Sequence, residues 1–225
     1  MKSSTLLAGI AALSVLTSSH AAVYSIDTGT AAGAIGDNAS PNWSAAGLNH
    51  FTAVAGSQNI VSISVVFGAG APSTTNLVGG EAFTVVIWND PDGNGNPSDA
   101  QVLSSAAGTI TVFNDNVTFQ TTPITPVGLS VGQSFFAGVY YQNYFNKFPG
   151  GVSGSGTPGE SWVSFNATAP LNLNNLAAAD AFGVLGTVTG SPGIVSMVRA
   201  NGVPEPTAAA FAGLAALGML RRRRA

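Results

Sequence analysis

The stretch "EAFTVVIWNDPDGNGNPSDAQVLSSAAGTITV", residues 81–112, decides the fold class. Its first part alternates. Phe83, Val85 and Ile87 fall on one side of an extended chain, and Thr84, Val86 and Trp88 on the other. Successive side chains of a strand point to opposite faces, so a period of two marks a strand. The run "DPDGNGNPSDA" (90–100) follows, built from residues that favour tight turns. The alternation resumes at "GTITVF" (108–113). The segment therefore predicts two strands joined by a polar loop.

The pattern recurs along the chain. In "NIVSISVVFG" (59–68), Val61, Ile63, Val65 and Phe67 share one face, while Ser62 and Ser64 take the other. "SFFAGVYY" (134–141), "ESWVSFN" (160–166), "FGVLGTV" (182–188) and "GIVSMV" (193–198) read as strands too. "VYSID" (23–27) and "HFTAVA" (50–55) are weaker candidates. Gly, Pro, Ser and Asn clusters separate them, among them "GAGAPSTTN" (68–76), "TTPITPVG" (121–128) and the flexible-looking "PGGVSGSGTPG" (149–159). "LNLNNLAAADAF" (171–182) suits a short helix or turn. Many short strands without alternating helices predict an all-β protein, an antiparallel β-sandwich or jelly roll. The 81–112 segment, with "LSVGQSFFAGVYY" (129–141) later, loosely resembles jelly-roll modules of secreted bacterial proteins.

Charged residues make up only 8 % of the 225, against about 25 % in an average domain. Polar surface must come from hydroxyls and amides. The apolar share of 45 % suffices for a core. With no cysteine, disulfides, thiolate metal sites and thiol nucleophiles are all excluded.

Both ends read as addresses. Lys2 precedes the apolar run Leu6 to Leu16, and Ser19 and Ala21 supply small residues at the −3 and −1 positions of a cleavage site. This predicts a signal helix within residues 1–21, exported through the Sec translocon and cut by signal peptidase after Ala21. At the other end, Thr207 to Leu220 is apolar and uncharged, and Arg221, Arg222, Arg223 and Arg224 follow at once. As a helix this run covers about 21 Å, short of a hydrocarbon core about 30 Å thick. The arginines stay cytoplasmic by the positive-inside rule. A weak helix with a cytoplasmic lock predicts a short transmembrane helix that stops transfer only transiently.

Pro204-Glu205-Pro206, then a short apolar helix, then an arginine cluster, resembles the PEP-CTERM sorting signal of Gram-negative bacteria. The same tail has also been labelled an ice-binding protein C-terminal domain, which says nothing of ice here. The resemblance covers residues 203–225 and implies recognition by an exosortase that cuts at or beside Pro204-Glu205-Pro206. It further implies a mature form at the cell surface or outside the cell, in bacteria that make exopolysaccharide and biofilm. Residues 22–202 are then the β-sandwich body. They carry nine acidic residues against Lys147 and Arg199, which makes the body a poor candidate for binding nucleic acid or anionic lipid.

Three constellations in the body could carry chemistry. In "DPDGNGNPSDA", Asp90, Asp92, Asn94 and Asn96 stand at alternate positions and Gly95 allows a sharp turn, the oxygen-rich pattern that suits Ca²⁺. Gln101 stands where an EF-hand needs its bidentate glutamate, Asp99 could substitute from elsewhere in the loop, and a plain polar hairpin turn is the reading the composition favours. No other cofactor is expected. In "YYQNYFNKF" (140–148), Tyr140, Tyr141 and Tyr144 beside amides could stack on sugar rings, or simply fill the core. Catalysis has thin support: His50 is the body's single histidine, Glu81 and Glu160 its only glutamates, and no nucleophile elbow surrounds a serine. The expectation is a non-enzymatic surface or biofilm-matrix protein that could bind exopolysaccharide. A purely structural or adhesive matrix protein, and a secreted glycan hydrolase, remain as alternatives.

Overall fold

Apolar residues on both sides of "FTVVIW" imply a strand covered on two faces, and the sheet containing it is built that way. The computed structural model describes residues 21–70, 75–157 and 159–204. The expected signal helix, Glu205, Pro206, the helix 207–220 and Arg221–Arg224 lie outside the described residues. The strands are β1 (Ala22–Tyr24), β2 (Gly33–Asp37), β3 (Ser44–Thr52), β4 (Asn59–Val65), β5 (Ala82–Asn89), β6 (Val102–Thr109) and β7 (Gln120–Gly128). There follow β8 (Ser134–Gln142), β9 (Lys147–Ser153), β10 (Ser161–Asn166), β11 (Ala181–Val184), β12 (Val195–Ser196) and β13 (Val198–Val203).

They form three antiparallel sheets. The largest runs β11-β10-β3-β8-β5-β6, the second β1-β13-β4-β7, and the third β12-β9-β2. On one face of the six-stranded sheet, Phe83, Val85 and Ile87 join Phe135, Ala137 and Val139 against Ile60, Ile63 and Val65 of β4 and Val198 and Ala200 of β13. That is the sandwich core. On the other face, Val86, Trp88, Phe136 and Leu48 are covered by Leu171 and Leu176 from the 167–180 connection. That connection is held by hydrogen bonds from Trp88 Nε1 to the Leu173 carbonyl (2.7 Å), Ser164 Oγ to Leu176 (2.8 Å) and Ser44 Oγ to Ala169 (2.7 Å). The all-β antiparallel expectation therefore stands, with a third sheet added.

Several local readings are corrected. "TTPITPVG" is part of strand β7, not a loop. β7 is an edge strand, where Pro123 and Pro126 need not donate to a neighbour, and Ile124 faces the core. The first half of "PGGVSGSGTPG" belongs to β9, the middle strand of the third sheet, where Gly151 packs so closely that a Cβ would lie 2.6 Å from the Val66 carbonyl oxygen. "GTITVF" is displaced: β6 ends at Thr109 because its partner β5 begins at Ala82, its register mate. "FGVLGTV" is strand only to Val184. Leu185–Val188 then make a single helical turn, closed by Thr189 Oγ1 donating to the Leu185 carbonyl at 2.8 Å. "GIVSMV" is broken at Met197, where Asn49 Nδ2 reaches across to the carbonyls of Ser196 (2.8 Å) and Val198 (2.9 Å).

Trp88 is fully buried and its N–H holds the covering connection in place. Trp88→Ala is expected to lower the unfolding free energy by about 3–5 kcal/mol. Trp88→Phe, which strands the Leu173 carbonyl, should cost about 1–3 kcal/mol. Urea unfolding followed by circular dichroism measures both.

Candidate functional site

Register brings together three ionisable residues that sequence spacing keeps far apart. Ser161 pairs with Asn49, so Glu160 stands opposite His50, and the His50 backbone N–H donates to the Glu160 carbonyl at 2.8 Å. His50 pairs with Phe136, and Phe136 with Trp88, which puts Asp90 at the same end of the sheet, two residues past Trp88. The side chains then meet. His50 Nδ1–H donates to Glu160 Oε2 at 2.5 Å, and His50 Nε2 lies 3.6 Å from Asp90 Oδ2. The His50 ring packs tilted on Phe136, centroids 5.2 Å apart.

The 90–99 loop closes over this cluster. Gly95 adopts φ 75°, a left-handed conformation that favours glycine, and its N–H donates to Asp90 Oδ2 at 2.9 Å. Asp90 is buried to 0 % side-chain exposure, and its Oδ1 has no hydrogen-bond partner. His50 Nε2 has none either. Carboxylate oxygens of Asp90, Asp92 and Asp99 come within 4.8 Å of one another. Asn94 and Asn96 spend their side-chain oxygens on loop N–H groups, Asn94 Oδ1 on Asn96 (2.6 Å) and Asn96 Oδ1 on Ser98 (3.0 Å). The residues that could hold a hard cation are thus the three aspartates, with Asp90 Oδ1 lacking a hydrogen-bond donor among the described residues. A bound cation would supply the missing partner. His50 and Glu160 are the members that sequence reasoning missed. Their contact spans 110 positions, and only strand register could have revealed it.

The tyrosines separate. Tyr141 and Tyr144 are core residues, packed edge to face at 5.7 Å, so neither ring is open to a sugar. Burial pushes both hydroxyls above their ordinary pKa, and the Glu81 carboxylate adds to the effect on Tyr144. Tyr144 O–H donates to the Ala82 carbonyl at 2.5 Å. Tyr140, half-buried, alone reaches the surface. It borders a hollow of about 290 Å³ with Gln142, Asn143 and Thr84, and its hydroxyl donates to Gln142 Oε1 at 2.9 Å. The stacking site expected from three tyrosines is corrected to one ring.

Ala21 and Pro204 are the two expected processing positions among the described residues. Ala21 is exposed and immediately precedes β1, and Pro204 immediately follows β13. Glu81 lies at the start of β5, paired with Lys147 Nζ at 2.7 Å. Burial works to raise its pKa, but the Lys147 ammonium and the Val78 N–H outweigh it and hold the carboxyl below its ordinary value. The length of β5, about 26 Å, separates Glu81 from the His50 cluster, too far for the paired carboxylates of a glycosidase. The chain matches no protein-family model and no curated protein.

If the three aspartates take Ca²⁺, the ion stabilises the folded chain by about 2.7 kcal/mol at a hundredfold excess over its Kd. Calorimetry should then show a melting midpoint higher by about 5–11 °C. Asp92→Ala and Asp99→Ala change exposed residues, so they should leave the metal-free midpoint unmoved and abolish the rise. A midpoint indifferent to Ca²⁺ refutes the site.

Proposed function

We propose that this chain is an exported, non-enzymatic protein of the cell surface or biofilm matrix, delivered through its N-terminal signal and processed by an exosortase through its PEP-CTERM tail. The observation that supports the reading is where the strands of the described residues lie. The first strand begins at Ala22, next to the expected signal cut at Ala21, and the last ends at Val203, next to Pro204. The strands fill the interval between the two proposed processing points. The transmembrane helix 207–220 and the arginine lock 221–224 belong to the same proposal.

The body's polar surface suits a hydrated matrix. It carries few charges, and among the described residues both cations are tied up, Lys147 with Glu81 and Arg199 with Asp27. The burial of Tyr141 and Tyr144 favours a structural or adhesive role over a stacking lectin-like one. A polysaccharide contact in this proposal rests on the Tyr140 hollow, with Gln142 and Asn143 as hydroxyl partners. Against a glycosidase built on the two glutamates, Glu81 and Glu160 stand at opposite ends of the sheet, although Glu160 and Asp90 both meet His50.

Two outcomes are expected. Deleting Arg221–Arg224, or substituting Glu205→Ala, should leave an uncut form in the inner membrane, seen by fractionation and gel mobility. Cutting and surface delivery at wild-type levels would sink the sorting reading. On a glycan array of acidic and neutral polysaccharides, Tyr140→Ala should lose whatever binding the wild type has, whereas Tyr141→Phe should keep it.

A further inference from the structure

Both ends of the described chain leave from one row of the four-stranded sheet. Ala22 pairs with Gly202, Val203 with Asn59, and Asn59 with Gly128. Paired Cα atoms in antiparallel strands are about 5 Å apart. The expected signal-peptide cut after Ala21 and Pro204 are therefore side by side. Two connections flank this row, residues 53–58 between β3 and β4 and residues 129–133 between β7 and β8. They are knit to it and to each other. Ala22 N–H donates to Ser57 Oγ (3.1 Å), Tyr24 O–H to the Ser57 carbonyl (2.9 Å), Leu129 N–H to Gln58 (3.0 Å) and Gly132 N–H to Ala53 (2.8 Å).

Residues 51–59, 127–134 and 200–204 contain no charged side chain. Val23, Val54 and Val131, at 56 %, 47 % and 59 % exposure, project from it. Val23 and Val54 share a cleft of about 470 Å³, whose lining includes one carboxylate, Glu160, already bound to His50.

Chain length fixes what this rim meets. Only residues 204–206 separate the end of β13 from the apolar run that starts at Thr207. Fully extended, three residues span at most about 11 Å. The headgroup layer on each side of the hydrocarbon is about 5–8 Å thick. With Thr207 at the hydrocarbon boundary, Val203 can stand at most a few ångströms beyond the headgroups, so the connections beside it face the lipid at close range.

We infer that the rim formed by Val23, Val54 and Val131 is a membrane-resting surface, which lies against the phospholipid headgroups while the C-terminal run is still embedded. The inference rests on the membrane-stop reading of the tail. The connections themselves bring no carboxylate to an anionic leaflet, and the acidic 90–99 loop stands beside them at the same end of the sheet. Contact at the rim also presents Pro204 at the bilayer surface, where a membrane-embedded protease works.

The test uses the full-length chain, which has no cysteine to remove. Single-cysteine variants Val54→Cys, Val131→Cys and Val117→Cys are labelled with an environment-sensitive dye. They are then reconstituted into phosphatidylethanolamine–phosphatidylglycerol vesicles. Val117 is the control: it precedes the start of β7, at the opposite end of that strand from Gly128, and is 55 % exposed. Labels at 54 and 131 should shift to the blue and resist iodide quenching severalfold more than the label at 117. If the chain floats with the vesicles and all three labels quench alike, the rim proposal is overturned and the anchor stands. If the chain does not float, the anchor reading fails and the rim falls with it.

Discussion

The constraint on which this structure depends is the burial of β5 and β8 on both faces. A charge-poor chain has few ion pairs to organise it and no disulfide to close it, so apolar area must do both tasks. Strand β5 carries Phe83, Val85 and Ile87 on one side and Val86 and Trp88 on the other, and β8 repeats the arrangement with Phe135, Ala137 and Val139 against Phe136. Each face then requires a cover. The four-stranded sheet supplies one, and the 167–180 connection the other. The connection is not regular structure, so its backbone groups need partners. Trp88, Ser164 and Ser44 provide them, and the aromatic that fills the outer face also fastens the lid on it.

What the sequence disclosed follows from that constraint. Alternation in 81–89, 59–67 and 134–141 marked the strands of the core because their side chains decide their own environment. The strands that were misread are those whose pattern is set by neighbours. β7 hides behind two prolines that only an edge position tolerates, and an edge is a property of the sheet. β9 hides behind glycines selected by close packing: a Cβ on Gly150 would lie 2.8 Å from Ile35 Cγ1, and one on Gly151 2.6 Å from the Val66 carbonyl oxygen. "FGVLGTV" alternates well enough for a strand, yet Leu185 turns inward to a separate small core with Val152 and Val163.

The candidate site divides in the same way. The aspartates of the 90–99 loop are local, and composition alone singles them out. His50 and Glu160 sit on either side of a pairing between β3 and the start of β10, and nothing near either residue in sequence announces it. The tyrosines failed as surface residues for a related reason. In "YYQNYFNKF" the chain leaves β8 of one sheet and enters β9 of another, and both Tyr141 and Tyr144 fall on the core side: Tyr141 packs on Phe67 at 6.3 Å, and Tyr144 lies beside Trp43.

The distribution of charge then narrows where a cation can matter. Arg199 forks onto Asp27 through Nε and Nη2 and lies over the Phe119 ring, while Lys147 serves Glu81. Neither cation is left for the remaining acids. Asp115 is answered by Thr118 and Val117 and held below its ordinary pKa. Asp37 is partly desolvated, but the N–H groups of Ala39 and Ser40 outweigh that and lower it too. Asp180 accepts from the Ala167 N–H at 2.8 Å. In the 90–99 loop Asp92 is answered by Asn94, whereas Asp90 Oδ1 is buried without a donor, and a carboxylate oxygen of each of Asp90, Asp92 and Asp99 lies within 4.8 Å of the others. Strand β5 runs toward this loop and β8 away from the neighbouring 129–133 connection, so the acidic loop and the valine rim share one end of the molecule. A divalent cation in the loop would offset its carboxylate groups at the end proposed to meet an anionic leaflet. Cation binding and membrane contact, proposed from separate observations, would then favour each other.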